Sequence, residues 1–217
     1  MGTLFPLWRY GRLRMATDGS GVTSLVCAAG CPLDCKFCIN PESKPFGSQK
    51  NVTPEELYET VKCDGLYFAA TGGGVTFGGG EPLLHADFIC EFRKIIPECW
   101  HIYAESSLYI PEKNVITAAR AIDHFFIDIK DANDRIYREY TGRSNKRVIN
   151  NLKLLISCAG AENVTVRVPL IPGHNTDEDR AKTKEVLSDA GVVSFDFFKY
   201  VTPRKKAEKH LDKTDGI

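Results

Sequence analysis

The chain has 217 residues, of which 43% are hydrophobic and 26% are charged, so it is long enough to bury a substantial core. Its 28 basic and 28 acidic side chains cancel at neutral pH, which gives no electrostatic reason to expect a nucleic acid or an anionic membrane surface as a partner. No apolar run approaches the ~20 residues needed to span a bilayer, so we expect no membrane segment.

The first residues do not combine a basic start with an apolar stretch, so the sequence predicts no secretory signal and a cytoplasmic location. We predict one domain over residues 1–217. Its core is expected at about 18–201, and the basic and polar residues 202–217 are expected to form a solvated tail.

Segments typical of strands and helices alternate along the chain, beginning with an apolar, β-branched run at 22–29. The predicted strands are 22–29, 75–77, 101–106, 124–130, 164–171 and 192–201. The first predicted helix begins at Thr53, which forms a capping box with Glu56. The other four predicted helices cover 86–96, 111–122, 146–158 and 177–190. Six strands alternating with five helices predict an α/β fold: a partial (β/α)6 TIM-like barrel, with a parallel sheet and outer helices.

Chemically distinctive residues follow the predicted strands, where α/β folds place their active sites. Cysteines follow the first strand, and glycines with Glu81 follow the second. The later strands carry Glu105 and Ser106, then Asp128 and Lys130, then Arg167. We expect these residues to share one edge of the sheet.

Three of the eight cysteines, Cys31, Cys35 and Cys38, form a C-x3-C-x2-C pattern on one short segment. Thiolates at this spacing can hold three irons of a [4Fe–4S] cluster and leave the fourth iron open for another ligand. Zinc is an alternative, but it would need a fourth ligand such as Cys27, and chance spacing is another. The other five cysteines, Cys27, Cys63, Cys90, Cys99 and Cys158, show no paired spacing and are predicted to be core residues.

A glycine-rich segment, residues 71–82, surrounds the second predicted strand. It lacks the Gly-Lys-Ser/Thr ending of a phosphate-binding loop and the position of a dinucleotide fingerprint. Because it ends in Glu81-Pro82, we expect the backbone here to approach a ligand that carries an ammonium group.

Two motifs occur together in this chain: C-x3-C-x-aromatic-C, with Phe37 as the aromatic residue, and Gly79-Gly80-Glu81-Pro82. On these the chain resembles the radical S-adenosylmethionine (SAM) superfamily. Further segments resemble the activating enzymes of glycyl radical enzymes, such as the pyruvate formate-lyase activases. They are 75–84, Asp128-Ile129-Lys130, Tyr140-Thr141-Gly142, Asn145, 150–152 and 167–173.

The resemblance implies a role for each matching residue. Cys31, Cys35 and Cys38 would ligate the cluster, Phe37 would lie near the adenine of SAM, and Asn40 would make a polar contact with SAM. The glycine motif, Gly79, Gly80 and Glu81, would receive the amino group of SAM. Asp128, Lys130 and Arg167 would hold its carboxylate and ribose region, and Glu105 and Ser106, with Asp128, could bind a monovalent cation.

The resemblance also implies an activity: reductive cleavage of SAM to a 5′-deoxyadenosyl radical that removes hydrogen from a glycine of a partner glycyl radical enzyme. Such chemistry is anaerobic and needs a low-potential reductant of the flavodoxin or ferredoxin type. Radical chemistry on a small molecule or peptide is an alternative, and a non-catalytic iron–sulfur or zinc protein is a more remote one.

Three departures from the activase pattern bear on the substrate. They are Thr23 in place of an arginine, Ile39 in place of a histidine, and 197–201 in place of a Pro-Tyr-His segment.

Overall fold

A computed structural model describes residues 2–15, 17–47 and 50–200. The predicted tail, 202–217, lies outside the described residues. None of the helices in these ranges has the length and apolar character that crossing a membrane requires.

Eight strands form one sheet. They are β1 (Phe5–Met15), β2 (Val22–Ala28), β3 (Lys50–Val52), β4 (Gly74–Gly79), β5 (His101–Ser106), β6 (His124–Asp128), β7 (Val164–Leu170) and β8 (Ser194–Lys199). Their order is β3-β1-β2-β4-β5-β6-β7-β8. Strands β2 and β4 to β8 are parallel and consecutive in this order, so the prediction of six parallel strands is confirmed. Strand β1 pairs antiparallel with both β2 and β3, and neither β1 nor β3 was predicted.

Seven α-helices are described among the strands. They are α1 (Pro54–Val61), α2 (Gly65–Thr71), α3 (Ala86–Ile95), α4 (Glu112–Ala118), α5 (Asp134–Thr141), α6 (Lys146–Ala159) and α7 (Asp177–Asp189). The predicted capping box is present: the Glu56 amide donates to Thr53 Oγ1, and the Thr53 amide donates to the Glu56 carboxylate at 2.9 Å. Helices α2 and α5 were not predicted.

The core lies between the parallel strands and the helices that follow them. Phe77 on β4 packs edge-on against Phe92 of α3 at 5.7 Å between ring centroids, and Ile102, Phe125 and Val166 continue the buried layer along β5, β6 and β7. This packing holds the strands as an open barrel and brings their carboxyl ends together at one edge.

Five cysteines were predicted to be core residues, and this is correct only in part. Cys27 on β2 is buried and Cys90 on α3 is half-buried. Cys63, Cys99 and Cys158 are exposed, because they lie in a 3-10 turn, in a loop and near the end of α6 rather than on inward faces.

Candidate active site

The loop that follows β2 carries the three clustered cysteines and is held on two sides. On one side the Gly30 amide donates to Ser43 O at 2.7 Å. On the other side the amides of Asp34 and Lys36 donate to the carbonyls of Thr141 and Tyr140, at 3.0 and 3.1 Å. Because these carbonyls lie at the end of α5, that helix fixes the backbone immediately before and after Cys35.

All three cysteines of this loop face one cavity, and none of them is in a disulfide. Burial, reinforced by the negative charge of Glu81, raises the pKa of Cys31 to about 12, and burial also raises the pKa of Cys35. The Cys31 and Cys35 thiols therefore keep their protons until a metal displaces them. This donor set, three cysteines of one braced loop that line the same cavity, fits three corners of a cubane cluster.

The zinc alternative finds less support. Sulfurs around one zinc ion lie about 3.8 Å apart, since each Zn–S bond is about 2.3 Å. Within the part of the chain that the structure describes, no three His, Cys, Asp or Glu side chains converge as a single-ion site. The cysteine loop is therefore not a preformed zinc site.

The cavity brings together most of the residues predicted from the sequence. Besides the three cysteines it is lined by Leu33, Phe37, Ile39, Asn40, Ser43, Gly79, Gly80, Glu105, Ser106, Ser107, Asp128, Lys130 and Tyr200. The predicted residues that do not line it are Glu81 and Arg167. The carboxyl ends of β2, β4, β5 and β6 thus contribute to one site, as parallel strands allow.

The two glycines of the cavity wall allow close backbone packing. Gly79 has φ +90°, and a Cβ at this position would lie 2.7 Å from the Cβ of Cys27. A Cβ on Gly80 would lie 2.4 Å from Gly30 O. The Gly80 amide also donates to Ala28 O at 2.9 Å. The glycines therefore let the end of β4 pack directly against the start of the cysteine loop.

The Glu81 carboxylate is completely buried and its hydrogen bonds are made within the protein. It accepts from Ser106 Oγ at 2.7 Å, and from the amide and hydroxyl of Ser107 at 2.9 and 2.6 Å. Burial raises its pKa, and the hydrogen bonds from Ser107 and Ser106 oppose that rise. Through these hydrogen bonds Glu81 fixes the turn after β5. It therefore supports the cavity wall without lining the cavity itself.

Asp128 and Lys130, at the end of β6, present charge to the cavity. Lys130 Nζ lies 3.1 Å from Asp128 Oδ2 and 2.7 Å from Tyr200 Oη. Burial alone would lower the pKa of Lys130, but the charge of Asp128 raises it well above the usual range, so the side chain is an ammonium. Asp128 Oδ1 is buried and has no hydrogen-bond partner among the described residues. A buried oxygen without a partner costs about 1–3 kcal/mol, which indicates a place for a ligand donor.

Glu105 and Arg167 form an ion pair beside the cavity. Arg167 Nη1 lies 2.5 Å from Glu105 Oε1, and its guanidinium stacks on the ring of Phe126 at 4.6 Å. Burial raises the pKa of Glu105, and the charge of Arg167 opposes the rise. In this arrangement Arg167 acts on the site through Glu105.

Leu33, Ile39 and Ser43 line the cavity without a role assigned from the sequence. Three further residues of the site also lacked an assigned role. Tyr200 lines the cavity, Ser107 holds Glu81, and Tyr140 donates through its hydroxyl to Phe37 O at 3.1 Å. Tyr140 belongs to the Tyr-Thr-Gly motif, so the sequence singled it out but did not predict what it contacts. The structure shows that this motif braces the cysteine loop.

A family model for the radical SAM superfamily matches residues 25–187. The chain is 36% identical to the (2S)-3-sulfopropanediol dehydratase activating enzyme of Klebsiella oxytoca, over 74% of this chain and 69% of the relative. It is 30% identical to the pyruvate formate-lyase 1-activating enzyme of Escherichia coli K12, over 81% and 72%. It is 27% identical to the trans-4-hydroxy-L-proline dehydratase activating enzyme of Clostridioides difficile, over 78% and 75%.

Solved structures give the same fold. Streptococcus suis SuiB bound to S-adenosylmethionine superposes with a TM-score of 0.63 at 13% identity, over 83% of this chain and 41% of that one. TYW1 with a lysine-pyruvate adduct superposes with a TM-score of 0.58 at 18% identity, over 85% and 66%. The matched span confirms the resemblance based on the cysteine and glycine motifs. The chain belongs to the radical SAM superfamily, as an enzyme related to the activating enzymes of glycyl radical enzymes, and its cofactors are a [4Fe–4S] cluster and SAM.

Proposed function

We propose that this enzyme generates a radical on a glycine of a partner glycyl radical enzyme. The cofactor part of the proposal rests on one observation: three unpaired thiols, the unpaired Asp128 oxygen and the buried Lys130 ammonium all belong to a single cavity. The glycine substrate is inferred from the relatives. When bound there, the cluster and SAM supply a 5′-deoxyadenosyl radical that removes a hydrogen atom. The protein binds, orients and shields these groups.

The cluster is held by Cys31, Cys35 and Cys38 in this proposal. The brace from α5 and the Lys44 ammonium support the assignment, since Lys44 Nζ donates to Cys35 O at 3.1 Å. Fixed backbone around Cys35 lowers the entropy lost when the thiolates bind iron.

SAM brings one carboxylate, one ammonium and ribose hydroxyls. Lys130 offers positive charge to the carboxylate, and Asp128 Oδ1 is an acceptor for a ligand N–H or O–H. The backbone at Gly79 and Gly80 receives the amino group. Phe37 and Asn40 complete the contacts.

The adenine is placed against Phe37, whose ring is 38% exposed. Its ring lies 5.6 Å from that of His174 and 6.3 Å from that of Tyr140, so two aromatic neighbours hold its orientation. An exposed aromatic face held in this way suits stacking with a purine.

The remaining predicted residues act from the cavity wall in this proposal. Glu81 positions Ser106 and Ser107, and Arg167 positions Glu105. The Arg167 guanidinium already neutralises Glu105, so the monovalent cation stays a prediction.

The relatives, which are activating enzymes of two dehydratases and of pyruvate formate-lyase, support a protein substrate. The open barrel gives a polypeptide segment a route to the cavity, and the rim near the cysteine loop exposes Ile39 (81%) and Phe46 (65%). A reductant of the flavodoxin or ferredoxin type would supply the electron. We also propose a cytoplasmic location, because eight unpaired cysteines suit a reducing compartment.

The test is anaerobic reconstitution with iron and sulfide, followed by dithionite, SAM and a panel of glycyl radical enzymes. The panel takes its members from the relatives: pyruvate formate-lyase, sulfopropanediol dehydratase and hydroxyproline dehydratase. We expect 5′-deoxyadenosine from the enzyme and a glycyl radical signal in the electron paramagnetic resonance (EPR) spectrum of one partner. Lack of 5′-deoxyadenosine would refute radical chemistry. Formation of 5′-deoxyadenosine with a modified small molecule or peptide, and no glycyl radical on any partner, would favour the alternative.

A further inference from the structure

We propose that the Tyr200 hydroxyl is a SAM ligand. Together with Lys130, it would donate a hydrogen bond to the carboxylate of SAM. The inference rests on the proposed SAM site and adds a residue that the sequence motifs did not indicate. Tyr200 lies one residue after β8, at the opposite side of the parallel strands from the cysteine loop.

The backbone and ring of Tyr200 are fixed by its neighbours. Its amide donates to Leu170 O at 3.0 Å, which continues the β7–β8 ladder by one bond. Its ring meets that of Phe198 edge-on at 5.4 Å. From this position the side chain passes β7 and reaches Lys130 beyond the end of β6.

Hydrogen-bond accounting at Lys130 leaves one donor available. An ammonium has three N–H groups, and two are used here, by Asp128 Oδ2 and by Tyr200 Oη. Among the described residues no acceptor is found for the third N–H.

The Tyr200 hydroxyl likewise has one free donor. Its oxygen accepts from Lys130, which leaves its own O–H free to donate, and no described residue accepts that proton. Tyr200 and Lys130 both line the cavity. Two free donors held 2.7 Å apart on one wall match the two oxygens of a carboxylate, and SAM, the ligand proposed for this cavity, carries one carboxylate.

The experiment compares two ligands on two proteins. Wild type and Tyr200→Phe are reconstituted anaerobically, and the affinities for SAM and for decarboxylated SAM are measured by equilibrium dialysis. The substitution keeps the ring and removes only the hydroxyl. We expect SAM to bind about tenfold more weakly to Tyr200→Phe, the usual effect of losing a hydrogen bond to a charged group. Decarboxylated SAM should bind both proteins equally.

The control is Tyr67→Phe, which removes a hydroxyl from a half-exposed tyrosine on α2 and should leave both affinities unchanged. Iron content and the far-ultraviolet circular dichroism spectrum verify that each protein is folded and loaded. If Tyr200→Phe does not take up iron, Tyr200→Leu is used instead. Because it removes the ring as well as the hydroxyl, the ratio of its affinities for SAM and decarboxylated SAM is compared with the wild-type ratio.

An unchanged SAM affinity would overturn the inference. An equal loss of affinity for both ligands would also overturn it, because Tyr200 would then shape the cavity without binding the carboxylate. If wild type itself fails to bind SAM, the proposed function fails and not only the role of Tyr200.

Discussion

The ends of β4 and β6 each present a carboxylate, and the two carboxylates are used differently. Glu81, after β4, is completely buried and accepts hydrogen bonds on both oxygens from Ser106 and Ser107. Asp128, at the end of β6, uses one oxygen for Lys130 and keeps the other without a partner. Both residues belong to motifs of the family, so motif membership does not separate them. Completeness of hydrogen bonding does: Glu81 supports the site, and Asp128 faces the ligand.

The largest effect is expected from the cysteine loop, which lines the same cavity as Asp128. Cys35→Ala removes one of three cluster ligands, and we expect both cluster and SAM cleavage to be lost. Iron content, visible absorption and 5′-deoxyadenosine formation measure the result. Cys99→Ala, which changes an exposed cysteine, is the matched control and should retain all three. Retained cleavage in Cys35→Ala would refute the ligand assignment.

Next in size is the effect of Asp128→Asn on SAM binding. The amide keeps an oxygen for Lys130 but loses the charge and one acceptor, so we expect SAM affinity to fall about a hundredfold, or about 2.7 kcal/mol. The unfolding free energy should fall by only about 1 kcal/mol. Equilibrium dialysis and urea unfolding provide the two numbers. A variant that binds SAM like wild type would place the unpaired oxygen outside the SAM site.

Glu81→Gln should show the reverse pattern. A Gln amide cannot accept from the donors that face the replaced oxygen, so we expect a loss of about 2 kcal/mol in unfolding free energy. Urea unfolding monitored by circular dichroism measures it, with the exposed Glu98→Gln as a control that should change little. If Glu81→Gln is as stable as wild type but binds SAM poorly, the contrast between the two carboxylates is wrong.

The smallest effect concerns Asp134, a fully bonded carboxylate that is half-exposed. Its hydrogen bond from Arg138, followed by that from Ser144, lowers its pKa to about 2. Because the folded pKa lies below the unfolded value of about 3.9, its stabilisation is complete above that pH and is lost as the pH falls towards 2.

Asp134→Asn should therefore cost about 0.5 kcal/mol at neutral pH, since solvent screens the pair, and the difference from wild type should vanish at low pH. Urea unfolding of the iron-free proteins at several pH values provides the measurement. A difference that grows as the pH falls would contradict the assignment.

Much of the fold could be predicted from the sequence because the parallel strands are apolar, β-branched runs separated by helices with caps. Strand β1 was missed because Pro6, Gly11 and three arginines interrupt its apolar pattern. It forms a strand through antiparallel pairing with β2 and β3, which no local pattern indicates. Helix α5 was missed because it is short and highly charged. Its function, to brace the cysteine loop, depends on tertiary contacts that no local pattern contains.

For the site, the sequence was sufficient to predict which strand ends contribute residues. The rule that parallel strands gather their chemistry at the carboxyl edge placed Asp128 and Lys130 correctly beside the cysteines. It could not show that Glu81 turns away from the cavity, or that Arg167 pairs with Glu105. Nor could it find Tyr200, because that contact passes across β7 and depends on the twist of the assembled sheet.

The most direct test of the central claim, that the cavity beside the cysteines binds SAM at the cluster, is an EPR titration. The reconstituted wild-type enzyme is reduced, and SAM is added in steps. We predict that the spectrum of the reduced cluster changes and saturates with SAM, because an iron without a cysteine ligand is open to it. A spectrum that SAM leaves unchanged at every concentration would contradict the account.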